Sequence, residues 1–196
     1  MLPARLGLFF LLFVLAGNAA YKIPGFRVAE PPAVRATATG RVQVLTLGRL
    51  TEEERRRLNA VGSEQRAGVR RKLPEDAVDE GTWSTLADGR GVWRLKIRSV
   101  DATGMRVEFS DFSVGDSKVW VNSEDSTDGP YIGRGPNDDG KFWSGTVGGE
   151  SAVIEYEVEP GGRVGGPPPF RILHVAHEER RPAQPPQPKI AFTAVP

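Results

Sequence analysis

From Val92 onward, apolar and polar residues alternate with a period of two. Trp93, Leu95 and Ile97 alternate with Arg94, Lys96 and Arg98; Met105, Val107 and Phe109 with Arg106 and Glu108; Ile154, Tyr156 and Val158 with Glu155 and Glu157. This period sends successive side chains to opposite faces of a strand, so each segment predicts a half-buried β-strand whose charged residues face water. Val119 to Val121, Phe142 to Val147 and Phe170 to Val175 predict further strands, with Asp-Gly, Gly-Asp, Gly-Gly and Gly-Pro pairs marking the turns between them. Six or more short antiparallel strands between Val92 and His177, with no helix among them, predict an all-β fold, an antiparallel β-sandwich or jelly roll, and argue against a βαβ architecture.

The chain before Val92 reads differently. Val42, Val44, Leu45 and Leu47 predict a short strand, and "LTEEERRRLNAVG" predicts one short helix. Thr51 is its N-cap, Glu54 the capping-box partner three residues on, and Gly62 its stop, with acids preceding bases along the helix dipole. The expected organisation is a signal peptide over 1–20, an extended lead-in over 21–40, a strand-helix-strand region over 41–90 packing on the sandwich, the β-sandwich domain over 91–177 and a Pro-rich tail or linker over 178–196. "EPGGRVGGPPP", Glu159 to Pro169, reads as a flexible loop before the last strand.

The signal assignment rests on Arg5, the apolar run Leu6 to Ala16 and the small residues Gly17-Asn18-Ala19-Ala20. The run falls well short of the roughly 20 residues of a bilayer-spanning helix. A secreted or periplasmic protein cleaved near Ala20 is expected, without stable membrane insertion afterwards. Lys and Arg total 26 against 25 for Asp and Glu, so no net field favours nucleic acid as a partner. With no cysteine in the 196 residues, neither a disulfide framework nor a thiolate metal site is available.

Candidate chemistry concentrates in "GPYIGRGPNDDGKFWSG", Gly129 to Gly145, and mostly fails on spacing. An EF-hand register lacks the leading aspartate and the closing glutamate, and the glycines keep neither the dinucleotide nor the P-loop spacing. A less regular calcium site from Asp125, Asp128, Asp138 and Asp139 stays open beside the reading of these residues as solvated turn-formers. "GDS" at Gly115 to Ser117 matches part of a trypsin-like nucleophile motif, but Lys118 replaces the next glycine and both histidines follow the serine. His174 and His177 lie three apart on a predicted strand and so face opposite ways, which does not chelate. Glu108, Glu155 and Glu157 occupy outward positions and are expected to be solvated. Arg70-Arg71-Lys72 and Arg180-Arg181 read as exposed sites for trypsin-like cleavage. Trp120, Tyr131 and Trp143 are the candidate aromatic platform for a ligand; one of Phe142 and Trp143 must face outward.

Taken together and in order, Trp93 to Ser99, Phe109 and Phe112, the Val-Trp-Val strand, Gly129-Pro130-Tyr131, the Gly-x-Gly loop leading to Phe142-Trp143-Ser144-Gly145, the Val-x-Glu-Tyr strand and Phe170 to His177 resemble the N-terminal, non-catalytic region of secreted bacterial trypsin-like serine proteases of the lysyl endopeptidase kind. The resemblance covers Gly91 to His177. It implies a pro or accessory segment that acts by protein interaction on a trypsin-like protease domain in cis or in trans, and it carries no catalytic residue or cofactor onto this chain. A detached module or a truncated protease precursor is the expectation, since no cysteine-containing catalytic domain follows. The alternative reading is a carbohydrate- or cell-surface-binding module stabilised by calcium.

Overall fold

The computed structural model describes residues 42–60 and 68–179. The signal peptide, the lead-in, the helix stop at Gly62, the Arg180-Arg181 pair and the Pro-rich tail lie outside the described residues.

Among the described residues, eleven strands form two sheets packed face to face. They are β1 (Val44–Leu47), β2 (Val69–Lys72), β3 (Thr82–Thr85), β4 (Gly91–Ser99), β5 (Gly104–Ser110), β6 (Gly115–Asn122), β7 (Thr127–Gly133), β8 (Phe142–Trp143), β9 (Val147–Gly148), β10 (Ser151–Val158) and β11 (Arg171–Glu178). The six-stranded sheet runs in the order β1-β4-β10-β6-β7, with β3 also on β4; the five-stranded sheet runs β2-β11-β5-β8, with β9 also on β5. β1 runs parallel to β4, and the other pairs are antiparallel. Of the strands before β4, β1 and β3 thus belong to one sheet and β2 to the other.

Among the described residues, one α-helix, α1 (Glu52–Leu58), sits between β1 and β2. Its capping box forms as the sequence dictates: the Glu54 N–H donates to the Thr51 hydroxyl at 3.2 Å, and the Thr51 N–H donates to the Glu54 carboxylate at 2.8 Å. The helix ends sooner than the pattern suggests, with Asn59 as C-cap. Among the described residues no helix is long and apolar enough to cross a membrane.

The inward rows are those that the alternation marks. Trp93, Leu95 and Ile97 from β4, Met105, Val107 and Phe109 from β5, and Ile154, Tyr156 and Val158 from β10 are all buried in one core. At one end of this core Phe109, Phe112, Phe142 and Phe170 interlock. Phe112 has centroids 5.0 Å from Phe142 and 5.6 Å from Phe170, and Phe109 lies 5.1 Å and 5.5 Å from the same two rings. Each such ring contributes about 1.5–3 kcal/mol by burial alone, so this cluster is a principal anchor of the fold.

The Gly-rich stretch is a strand connection. Residues 134–141 join β7 to β8, with the Gly140 N–H donating to the Arg134 carbonyl and the Phe112 N–H donating to the Gly140 carbonyl. Gly135 takes φ +86°, and a Cβ there would stand 2.4 Å from the Phe142 ring, so glycine lets this turn lie directly on the aromatic cluster. The 159–169 loop is likewise pinned: the Trp83 indole donates to the Gly166 carbonyl at 2.8 Å, and Pro168 is buried.

Two expectations about the outward rows are overturned. Glu155, Glu157 and Glu108 are 0%, 3% and 3% exposed; each is held by cations, Glu155 by Arg94, Glu157 by Arg90 and Glu108 by Arg70. Charge pairing with residues distant in sequence, invisible to a single-strand pattern, lets these carboxylates leave water. The Arg70-Arg71-Lys72 run is not an open cleavage site either, because it lies within β2, with Arg71 buried and paired along that strand.

Candidate functional site

Strand register assembles one polar constellation on the outward face of the five-stranded sheet. His174 stands beside Lys72 on β2 and Glu108 on β5, and Glu108 beside Trp143 on β8, giving the row Lys72–His174–Glu108–Trp143. The next row is Arg70–Ala176–Arg106. Of the adjacent pair Phe142 and Trp143, the phenyl ring enters the core and the indole faces out.

Two cations approach the Trp143 ring. The guanidinium carbons of Arg70 and Arg106 are each 6.0 Å from its ring centroid, within cation–π range. Both arginines are held from below. Arg106 Nε donates to the Ser144 carbonyl at 2.7 Å; Arg70 Nη2 donates to Glu108 Oε2 at 2.7 Å. The same carboxylate oxygen contacts His174 Nδ1 at 2.8 Å. Glu108 is almost sealed off, whereas Arg70 is about half exposed. Burial, reinforced by the nearby Arg70 charge and opposed by Glu108, holds the His174 imidazole below its ordinary pKa, so it is neutral at pH 7. Beside this row a depression of about 430 Å³ is lined by Glu54, Arg57, Arg70, Lys72 and His174. The arrangement is a fixed aromatic with donors outermost and their acceptor underneath.

A second constellation has the makings of catalysis and is structural. His177 faces inward from β11, and its Nδ1 is 2.8 Å from Ser99 Oγ, while Nε2 is 3.6 Å from Glu179. Yet Ser99 and His177 are both 0% exposed, and Arg71 Nη1 donates to the same Ser99 oxygen at 2.9 Å. The hydroxyl oxygen accepts from Arg71 and is hydrogen-bonded to the imidazole, so it is engaged where a nucleophile needs it free and reachable. Arg71 continues to the Gly48 carbonyl and to Glu54 Oε1 at 3.0 Å. Burial raises the Glu54 carboxyl, but the Thr51 N–H and Arg71 outweigh it and leave its pKa below the ordinary range. The network ties α1, β2, β4 and β11 together.

The aromatic platform expected from Trp120, Tyr131 and Trp143 is not formed. Trp120 is buried on the other sheet. Tyr131 turns into the core, 4.7 Å from Phe142, and its hydroxyl donates to Asp128, which also receives the Gly145 N–H. Burial and the adjoining Asp128 push the Tyr131 pKa well up. Strand order separates the three rings: Trp120 is buried, Tyr131 is half-buried against Phe142, and Trp143 is half-buried on the outward face of the five-stranded sheet.

The four aspartates are also placed apart. Asp128 is committed to Tyr131 and Gly145, Asp138 lies near Arg134, Asp139 receives the Lys141 N–H, and Asp125 sits in the turn closed by Ser123 and Ser126. Among the described residues no group of three or more acidic or histidine side chains is arranged to hold a metal ion. Ser117 belongs to β6, its N–H donating to the Val114 carbonyl. His174 and His177 fall on opposite faces of β11, as their spacing requires.

Sequence reasoning missed Arg106 and Arg70 as partners of Trp143. Arg106 stands at an outward position of β5, but that β2 and β8 flank the same sheet face is a matter of non-local pairing, which alternation does not encode. Comparison of the chain with protein-family models, with curated proteins and with solved structures finds no match.

Proposed function

We propose that this chain is a secreted, non-catalytic β-sandwich module that works by binding a protein partner through the outward face of its five-stranded sheet, in the manner of the accessory region of trypsin-like endopeptidases. The observation that carries the reading is Trp143 within cation–π range of both Arg70 and Arg106, with Glu108 holding Arg70. Tryptophan and arginine supply most of the energy in protein interfaces, and side chains immobilised in advance lose little entropy on binding. The partner is a trypsin-like protease domain, in cis or in trans, presenting carboxylates to the two guanidinium groups. The motifs that resemble such endopeptidases lie chiefly in the core (Trp93, Leu95, Ile97, Phe109, Phe112, Phe142, Phe170), so they support a shared scaffold, and the partner assignment rests on the resemblance.

The test is to titrate a lysyl endopeptidase-type catalytic domain with this chain, following association by interferometry and hydrolysis of a lysyl ester. Binding that weakens at least tenfold in Trp143→Ala and Arg70→Ser is expected. An enzyme whose activity and thermal half-life are untouched, with no measurable association, would sink the proposal.

A further inference from the structure

A separate site is built on the outward face of the six-stranded sheet. Register across β6, β10 and β4 sets two rows of three: Asn122–Val153–Lys96, and beside it Trp120–Glu155–Arg94. The residues of this grid are polar out of proportion to their burial. Asn122, Trp120 and Arg94 are 7%, 1% and 5% exposed. Yet both amide atoms of Asn122, Trp120 Nε1 and Arg94 Nη2 find no hydrogen-bond partner.

Buried polar atoms in folded proteins are almost always paired, because leaving one unpaired is costly. Of the four, the two on Asn122 border a cavity that Trp120 and Arg94 do not line, and it is at Asn122 that something else can supply the partners. Space for it exists: a cavity of about 420 Å³ is bounded by Asn122, Lys96, Val153 and Glu155, by Ser123 to Asp125 and by Gly148 to Ser151. That volume is in the range of small-molecule sites.

The donor and acceptor set narrows the ligand class. Asn122 Nδ2 and the Lys96 ammonium need acceptors, while Asn122 Oδ1 needs a donor. An inorganic anion would be repelled by the Glu124, Glu150 and Glu155 carboxylates of the lining. A metal cation or a simple amine leaves Asn122 Nδ2 and Lys96 unmatched. Adjacent hydroxyl groups satisfy both halves of one amide at once, each hydroxyl both donating and accepting.

We propose that this cavity binds a neutral saccharide, the Asn122 side chain bridging two neighbouring ring hydroxyls and Lys96 donating to a third. The site lies on the opposite sheet from Trp143 and does not depend on the protease-partner reading.

Saturation-transfer NMR of the full chain against glucose, galactose, mannose, N-acetylglucosamine and the disaccharides of each tests it. At least one sugar is expected to show transfer, with affinity lowered at least tenfold in Asn122→Ala and in Lys96→Met, and unchanged in Trp143→Ala. Lys96 is only half-buried, so Lys96→Met decides the matter should Asn122→Ala fail to fold by circular dichroism. Absence of transfer across the panel overturns the proposal, as does sugar binding indifferent to both substitutions. Inorganic phosphate or methylamine occupying the site in an Asn122-dependent way, with no sugar competing, overturns the saccharide class.

Discussion

Arg94 Nε lies 2.9 Å from Glu155 Oε1 on the outward face of the six-stranded sheet, and the two side chains are 6% and 0% exposed. A buried pair of this kind gains little over apolar residues of the same size, because desolvation of both charges offsets their attraction. Losing one partner is another matter. Arg94→Met is expected to destabilise the fold by about 3–5 kcal/mol, since it removes a cation from a buried carboxylate. Arg94→Met combined with Glu155→Leu is expected to cost clearly less than the sum of the single changes. Urea denaturation of the four proteins measures the coupling; additive costs would show that the two charges do not depend on each other.

Glu108 holds Arg70 and His174 through one oxygen at 2.7 and 2.8 Å while being almost fully buried. Glu108→Gln removes the charge but keeps the shape, so the expected cost is about 1.5–3 kcal/mol, the usual range for a hydrogen bond to a charged group. Arg70 then loses its anchor beside Trp143. The measurement is the melting temperature together with the indole emission of a variant in which Trp143 is the remaining tryptophan: a lower melting point with altered quenching by iodide is expected, and neither changing would remove Glu108 from its supporting place.

The inward half of this structure was legible from residue order. Period-two alternation located the cores of β4, β5 and β10, and the Thr51–Glu54 capping box located α1, because both are set by neighbours within a few residues. The outward half was not. Glu108, Glu155 and Glu157 look solvated on their own strands, and only the order β2-β11-β5, and the pairing of β10 with β4, bring Arg70 against Glu108 and Arg94 against Glu155. The same limit explains Trp120, Tyr131 and Trp143. Each is a plausible exposed aromatic in isolation, but sheet assignment sends one to each of three surroundings. Asn122 carried a faint signal, a polar residue closing the Val-Trp-Val strand, with nothing local to show that its amide is buried without partners.

Both histidines give the stability a pH dependence of known sign. Burial is the leading cause that holds His177 below its ordinary pKa, with Arg71 adding to it against the pull of Glu179; His174 is lowered by burial and Arg70. The folded state thus favours neutral imidazoles, and on acidification the unfolded chain takes up protons first, near its pKa of about 6.5. Stability is complete above that value. It falls as pH drops from there toward the folded-state pKa of each residue and then levels off, with a slope of at most about 1.4 kcal/mol per pH unit for each histidine. Melting curves between about pH 7.5 and 5 are expected to show the decline, with a shallower slope in His177→Gln. An unchanged slope in that variant would assign the effect elsewhere.

Gly135 tests whether the turn before β8 is shaped by the core beneath it. Its φ of +86° is one that side-chain-bearing residues rarely adopt, and a Cβ there would sit 2.4 and 2.5 Å from two atoms of the Phe142 ring. Backbone strain and displacement of the ring act together, so Gly135→Ala is expected to cost about 2–4 kcal/mol. Gly133 supplies the control: φ is +59°, with nothing within 4 Å of the corresponding Cβ. Gly133→Ala therefore meets the backbone penalty alone, about 1–2 kcal/mol. Because the excess at Gly135 is a contact with one ring, Phe142→Leu should absorb part of it, making the double variant more stable than additivity allows. Equal losses at the two glycines would mean that the turn stands clear of Phe142 and that its glycines serve backbone geometry only.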